Sequence, residues 1–142
     1  MTSRQLPQEA SKGTTILFID DDQEDRKYWS YALANSPYQY VVLEADSGES
    51  GLDLFRDHVV DCVLLELNMP ESGFFTLVRL IPDTNRPHVP VVILTRLMHP
   101  PLFELARQCG AYACLVKHLS SADELIGTIH HAMASAKSTG TP

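Results

Sequence analysis

Five short runs of apolar residues, each spaced from the next by an amphipathic stretch, constrain this chain more than any other feature. They are Thr15–Ile19 (TILFI), Tyr40–Leu43, Cys62–Leu67, Val89–Thr95 and Ala113–Lys117. Most are apolar at every position rather than at every second one, the pattern of strands buried on both faces. Strands of that kind sit in a parallel sheet covered by helices, joined by right-handed crossovers.

The intervening stretches carry helix signals. Asp22 can cap a helix that runs to Asn35 and stops at Asn35-Ser36-Pro37. Ser47-Gly48-Glu49 opens a second, with Leu52 and Phe55 on one face. Ser72 can cap a third, in which Phe74, Leu77, Val78 and Ile81 follow i, i+3, i+4, i+7 spacing. Leu102, Leu105, Ala106 and Cys109 mark the inner stripe of a fourth, ended by Gly110. Ser121 and Glu124 form a capping-box pair for the last, with Leu125, Ile129, Ala132 and Met133 inward. The pattern predicts a (βα)5 chain, an α/β doubly wound parallel five-stranded sheet. One domain accommodates the 142 residues. Residues 1–13 and 137–142 are expected as tails flanking a domain at 14–136, because both ends are polar and rich in Ser, Gly, Thr and Lys.

Composition narrows the function classes. A net charge of −7 disfavours direct nucleic-acid binding, because an acidic surface repels phosphate backbones. No apolar run approaches the roughly 20 residues needed to cross a bilayer, and residues 1–13 hold no apolar core of a signal peptide. Cys62, Cys109 and Cys114 have no metal-like spacing, so they read as reduced thiols, and the expected location is cytoplasmic.

Ligands of doubly wound sheets bind at the carboxyl ends of the strands. There the sequence delivers Asp20, Asp21 and Asp22 after the first strand, Glu66 at the third, Thr95 at the fourth and Lys117 at the fifth. Two carboxylates about 4 Å apart repel by about 4 kcal/mol at an effective dielectric of 20, so the cluster requires a cation or a proton. Lys117 can supply one charge, and a hard ion such as Mg²⁺ could supply more.

In this order, ILFIDDD, EADSGESGLDLF, DCVLLELNMPESG, VPVVILT and GAYACLVK resemble the receiver domain of two-component response regulators. The resemblance spans about Thr14 to Ala136 and implies a flavodoxin-like sheet of strand order 2-1-3-4-5. It puts the family's acidic pair on Asp20 and Asp21, its hydroxyl on Thr95 and its lysine on Lys117. It implies Mg²⁺ held by Asp20, Asp21, the residue at the phosphoacceptor position and the backbone carbonyl of Asn68, and a histidine kinase or other signalling protein as partner. It also implies a homodimer face on the fourth helix, fifth strand and fifth helix, here Leu102–Gln108 and Ala122–Met133.

The phosphoacceptor position, fixed by the LNMP that follows it, is Glu66 instead of aspartate. Asp61 begins the third strand and belongs at the opposite sheet edge. Glutamate is longer by one C–C bond, ~1.5 Å, and a misplacement of about 1 Å can cost on the order of 100-fold in a transfer reaction. Arg96 stands after Thr95 where a small residue is usual, either obstructing the pocket or placing a guanidinium against its carboxylates. His118 replaces the proline after the lysine, Cys114 takes the place of an aromatic switch residue, and the loop from Pro70 to Gly73 is one residue short. The expectation is a pseudo-receiver, not phosphorylated in the usual way, that works by protein contact and binds Mg²⁺ weakly or not at all. Glu66 is expected to pair with Lys117 or Arg96 and to mimic the phosphorylated state in part; a locked, inactive scaffold is the alternative.

Other readings remain beside this one. Glu66 could still accept a phosphoryl group. Asp20–Asp22 spells the DxD of aspartate-nucleophile phosphatases, although Glu24 stands where Thr or Val belongs and no cap domain fits. A nucleotide- or flavin-binding domain of the same fold class lacks its glycine motifs here.

Overall fold

A computed structural model of the chain describes residues 13–70, 73–84 and 88–140. Among these, five strands alternate with five helices: β1 (Thr15–Ile19), α1 (Gln23–Ala34), β2 (Val41–Ala45), α2 (Gly48–Asp57), β3 (Cys62–Leu65), α3 (Gly73–Thr84), β4 (Val91–Thr95), α4 (Pro100–Gln108), β5 (Ala113–Val116) and α5 (Ala122–Gly140). All pairings are parallel and the sheet order is β2-β1-β3-β4-β5, the doubly wound arrangement expected from the apolar runs. Leu17 of β1 lies between Leu43 of β2 and Val63 of β3.

Successive strand residues point to opposite faces, so each run feeds two cores. Leu17, Ile19, Val63, Leu65 and Ile93 pack with Leu52, Leu77, Leu80 and Ala106 of α2, α3 and α4. Ile16, Phe18, Leu64, Val92 and Leu94 pack with Trp29, Leu33, Leu125 and Ile129 of α1 and α5. Each fully buried Leu, Ile or Phe contributes about 1.5–3 kcal/mol relative to exposure, which is why uniformly apolar strands demand helices on both sides.

The caps follow the sequence signals. The Asp22 carboxylate accepts from the Asp25 N–H at 3.0 Å, and Ser47 Oγ accepts from the Ser50 N–H at 3.1 Å. Ser121 and Glu124 exchange side-chain-to-backbone bonds at 3.0 and 3.1 Å. Gly110, past the end of α4, has φ +123°, a conformation that favours glycine. Ser72, expected to cap α3, and part of the short Pro70–Gly73 loop lie outside the described residues, as do residues 1–12 and 141–142.

The last helix runs from Ala122 to Gly140. Several expectations are corrected. β2 reaches Ala45, β3 stops at Leu65, and Lys117 leaves β5 to begin a 3₁₀ turn, Lys117–Leu119. Val78 and Leu105, placed inward by spacing, are 45% and 46% exposed, while Leu80 and Phe103 are buried. The reason is angular. A residue adjacent in sequence to the centre of a stripe sits about 100° around the helix, whereas one three positions away sits about 60° around it. Val78 follows the buried Leu77, and Leu105 precedes the buried Ala106.

Candidate functional site

Residues at or just past the ends of β1, β3, β4 and β5 converge at the carboxyl edge because parallel strands in register end together. Asp20 follows β1 with its N–H bonded to Ala45 O at 3.0 Å, and Glu66 follows β3 with its N–H bonded to Ile19 O at 3.0 Å. Both acids, with Thr95 and Lys117, are buried.

Lys117 is the hub. Its Nζ donates to Asp20 Oδ2 at 2.6 Å and Asp25 Oδ2 at 2.8 Å, and stands 2.9 Å from Glu66 Oε1. Burial alone would lower its pKa, but hydrogen bonds to Asp20, Asp25 and Glu66 outweigh that and hold it above the usual lysine value. Burial pushes the Asp20 carboxyl up, against the Lys117 hydrogen bond and the Asp22 N–H that donates to its Oδ1 at 2.9 Å. Burial acts on Asp25 in the same direction, yet the hydrogen bonds from Lys117 and Arg96 prevail and keep it below the usual carboxylate value.

Glu66 is saturated with donors. Its Oε2 accepts from the Thr95 hydroxyl and from the Asn68 N–H at 2.7 Å. Its Oε1 accepts from the Arg96 N–H at 3.2 Å and faces Lys117. Thr95 Oγ1 in turn accepts from the Leu97 N–H at 3.1 Å, fixing the hydroxyl that donates to Glu66. The pairing expected of Glu66 with Lys117 or Arg96 is thus made to the Lys117 side chain and to the Arg96 backbone.

The Arg96 guanidinium takes the second of its two expected roles. Nε donates to Asp25 Oδ2 at 2.8 Å and Nη2 to Asp22 Oδ2 at 3.0 Å. Hydrogen bonding to Asp25 holds its pKa above the ordinary arginine value.

The remaining expected residues, Asn68 aside, lie apart from this network. Asp21 is exposed and belongs to none of the ion pairs among the described residues. Asn68 joins the site through its N–H. Cys114 is half-buried, its Sγ 3.8 Å from Phe103 O, and burial raises its pKa. His118 is exposed in the 3₁₀ turn. Asp61 lies at the opposite sheet edge, its Oδ2 accepting from the Thr15 N–H at 2.8 Å.

Asp25 was not anticipated. The signal was its place three residues after the Asp22 cap, which brings the two carboxylates to one side of the first turn of α1.

The donor set does not fit a divalent cation. Such an ion needs carboxylate oxygens directed at a shared point, usually with waters. Here Lys117 occupies the point shared by Asp20, Asp25 and Glu66, and Asp21 stands outside. Among the described residues no group of three His, Cys, Asp or Glu side chains is arranged to hold a metal.

The sequence profile of the response regulator receiver domain matches residues 16–130. The chain belongs to that family. It is 31% identical over 107 residues to a probable cyclic di-GMP phosphodiesterase of Vibrio cholerae, covering 75% of this chain and 24% of that protein. It is 28% identical over 107 residues to the polar-differentiation response regulator DivK of Brucella ovis, covering 75% of this chain and 85% of the relative. A response regulator receiver domain protein from Clostridium thermocellum superposes with a TM-score of 0.78 at 30% identity, over 87% of this chain and 97% of that one. The chain thus spans about a quarter of the length of the first relative and most of the other two. It is a receiver domain of two-component signalling, and no described helix is long and apolar enough to cross a membrane.

Proposed function

We propose that this receiver is a pseudo-receiver: a non-enzymatic module that signals by protein contact, with Glu66 standing in for a phosphorylated aspartate. One observation carries the reading. The Glu66 carboxylate meets four donors at once: the Thr95 hydroxyl, the Lys117 ammonium and the N–H groups of Asn68 and Arg96. A hydroxyl, an ammonium and two amides aimed at one point form a cradle for an oxyanion. The extra methylene of glutamate carries its own carboxylate into that cradle.

The same geometry opposes phosphorylation of Glu66. An attacking carboxylate oxygen needs a free lone pair in line with the donor phosphorus. Each Glu66 oxygen already has two partners, and the Arg96 guanidinium bridges Asp22 and Asp25 at the edge of the site.

The partner in this reading is a histidine kinase or another signalling protein. The α4–β5–α5 side offers a contact surface, which supports a second copy of the chain as one partner: Leu105 and Tyr112 are exposed there. Incubation with acetyl phosphate and Mg²⁺, followed by intact mass spectrometry, tests the central claim. The expected result is unmodified protein; a stoichiometric phosphoryl adduct on Glu66 overturns it.

A further inference from the structure

Asp25 Oδ2 accepts two cationic hydrogen bonds, from the buried Lys117 Nζ at 2.8 Å and from the exposed Arg96 Nε at 2.8 Å. We propose that the cation of this pocket is supplied by the chain itself, with Asp25 as the positioning residue that joins Lys117 inside to Arg96 outside and so closes the site to divalent metal. The inference deepens the pseudo-receiver reading and rests on it.

The electrostatics require such a device. Asp20, Asp25 and Glu66 all converge on Lys117, and Asp22 lies beside Asp25 on the first turn of α1. A single ammonium leaves this group of carboxylates strongly anionic, the condition that draws in a hard cation. Arg96 supplies a second positive charge at the solvent side. Its planar fork suits two carboxylates, since Nε and Nη2 reach Asp25 and Asp22 together.

Asp25 acts through others rather than on a ligand. It draws the Arg96 side chain toward α1 while the Arg96 N–H faces Glu66 Oε1 at 3.2 Å. The β4–α4 connection is thereby tied to α1 on one side and to Glu66 on the other. In this arrangement the oxyanion cradle is complete without metal and without phosphate.

The test uses Mn²⁺ as a paramagnetic probe of the intact, unmodified chain, read by line broadening in amide NMR spectra. Wild type and Arg96→Lys are expected to resist broadening at low millimolar Mn²⁺. Arg96→Ala, a change at an exposed side chain that leaves the fold intact, is expected to admit the ion, with broadening at Asp22 and Asn68. The concentration needed falls about tenfold or more, as one positive charge is removed from beside a divalent ion. Asp25→Asn is expected to free the Arg96 side chain, read as at least about tenfold faster exchange of its Nε–H, since that bond loses its charged acceptor.

Wild type broadening at the same Mn²⁺ concentration as Arg96→Ala overturns the proposal, as does Arg96→Ala resisting as well as wild type. Unchanged Nε–H exchange in Asp25→Asn removes Asp25 from its positioning role. None of these readouts involves a phosphodonor, so failure here and failure of the pseudo-receiver reading, which rests on an adduct at Glu66, are separately visible.

Discussion

Lys117 Nζ and Glu66 Oε1 stand 2.9 Å apart as a buried ion pair, their side chains 6% and 2% exposed. Burying two charges costs several kcal/mol per ion, and only good geometry with further hydrogen bonds compensates. Here the compensation extends beyond the pair, to Asp20 and Asp25 on the lysine and to Thr95, Asn68 and Arg96 on the glutamate. The pair is therefore the centre of a network that ties together the ends of β1, β3, β4 and β5 and the start of α1.

Removing the lysine is expected to be among the most damaging single changes in the chain. Lys117→Met keeps the length of the side chain but leaves Asp20, Asp25 and Glu66 without their shared cation. Breaking a buried pair by deleting one partner costs about 3–5 kcal/mol. Urea unfolding at neutral pH, followed through the buried Trp29, measures it. A loss below about 1 kcal/mol, typical of surface pairs, would mean the network does not hold in solution.

Thr95→Val tests the hydroxyl alone. Valine matches the shape of threonine but cannot donate to Glu66 Oε2 or accept from the Leu97 N–H. The expected cost is about 1–3 kcal/mol, because partners are left unsatisfied at a buried site. Thr95→Ser keeps the hydroxyl and is expected to recover more than half of the loss in the same unfolding experiment.

The acid and alkaline limbs of stability separate two members of the network. The folded pKa of Asp25 lies below its ordinary 3.8. Its contribution is thus present above 3.8 and lost as pH falls through the folded value. Asp20 works in the opposite sense: with a raised folded pKa it takes up a proton in the fold before it does in the unfolded chain, which favours folding toward acid pH. Lys117 has a folded pKa above 10.5, so its contribution is complete below 10.5 and lost as pH rises through the folded value. The stability gap between wild type and Asp25→Asn should therefore narrow in strong acid. The gap between wild type and Lys117→Met should stay constant from neutral pH up to 10.5 and narrow above it. Denaturant midpoints across the pH range provide both curves.

How much of this was legible in the sequence depends on the kind of signal. The apolar runs announced a parallel sheet because only strands buried on both faces tolerate them, and the four residues Asp20, Glu66, Thr95 and Lys117 met because parallel strands end together. The helix faces were less clear: Val78 and Leu105 are apolar but sit on the flanks of their helices, where hydropathy alone does not separate them from the core. Arg96 was recognisable as unusual, yet its choice of acceptor was not, because that required knowing that Asp25 lies on the side of α1 facing β4 and β5. Asp21 shows the converse. Its place beside Asp20 suggested a shared role, but adjacent residues leave a strand end in different directions, and Asp21 is exposed while Asp20 is buried.

Gly73→Ala links packing to the cradle. A Cβ added at Gly73, the first residue of α3, would lie 1.9 Å from the Leu67 carbonyl oxygen and 2.4 Å from its carbon. Those are backbone atoms, which cannot rotate aside as a side chain would, so the segment after β3 must move. Overpacking of this kind costs about 1–3 kcal/mol, occasionally more. The displaced residue is bonded to Asn68, whose N–H is one of the four donors to Glu66. The substitution should therefore do more than lower stability: the Asn68 amide should lose hydrogen-exchange protection and shift in an NMR spectrum. Amides of α5, on the other face of the sheet, should shift little. A uniform loss of protection over both faces would show that the change loosens the whole fold, and would sever the inferred link between Gly73 and the oxyanion cradle.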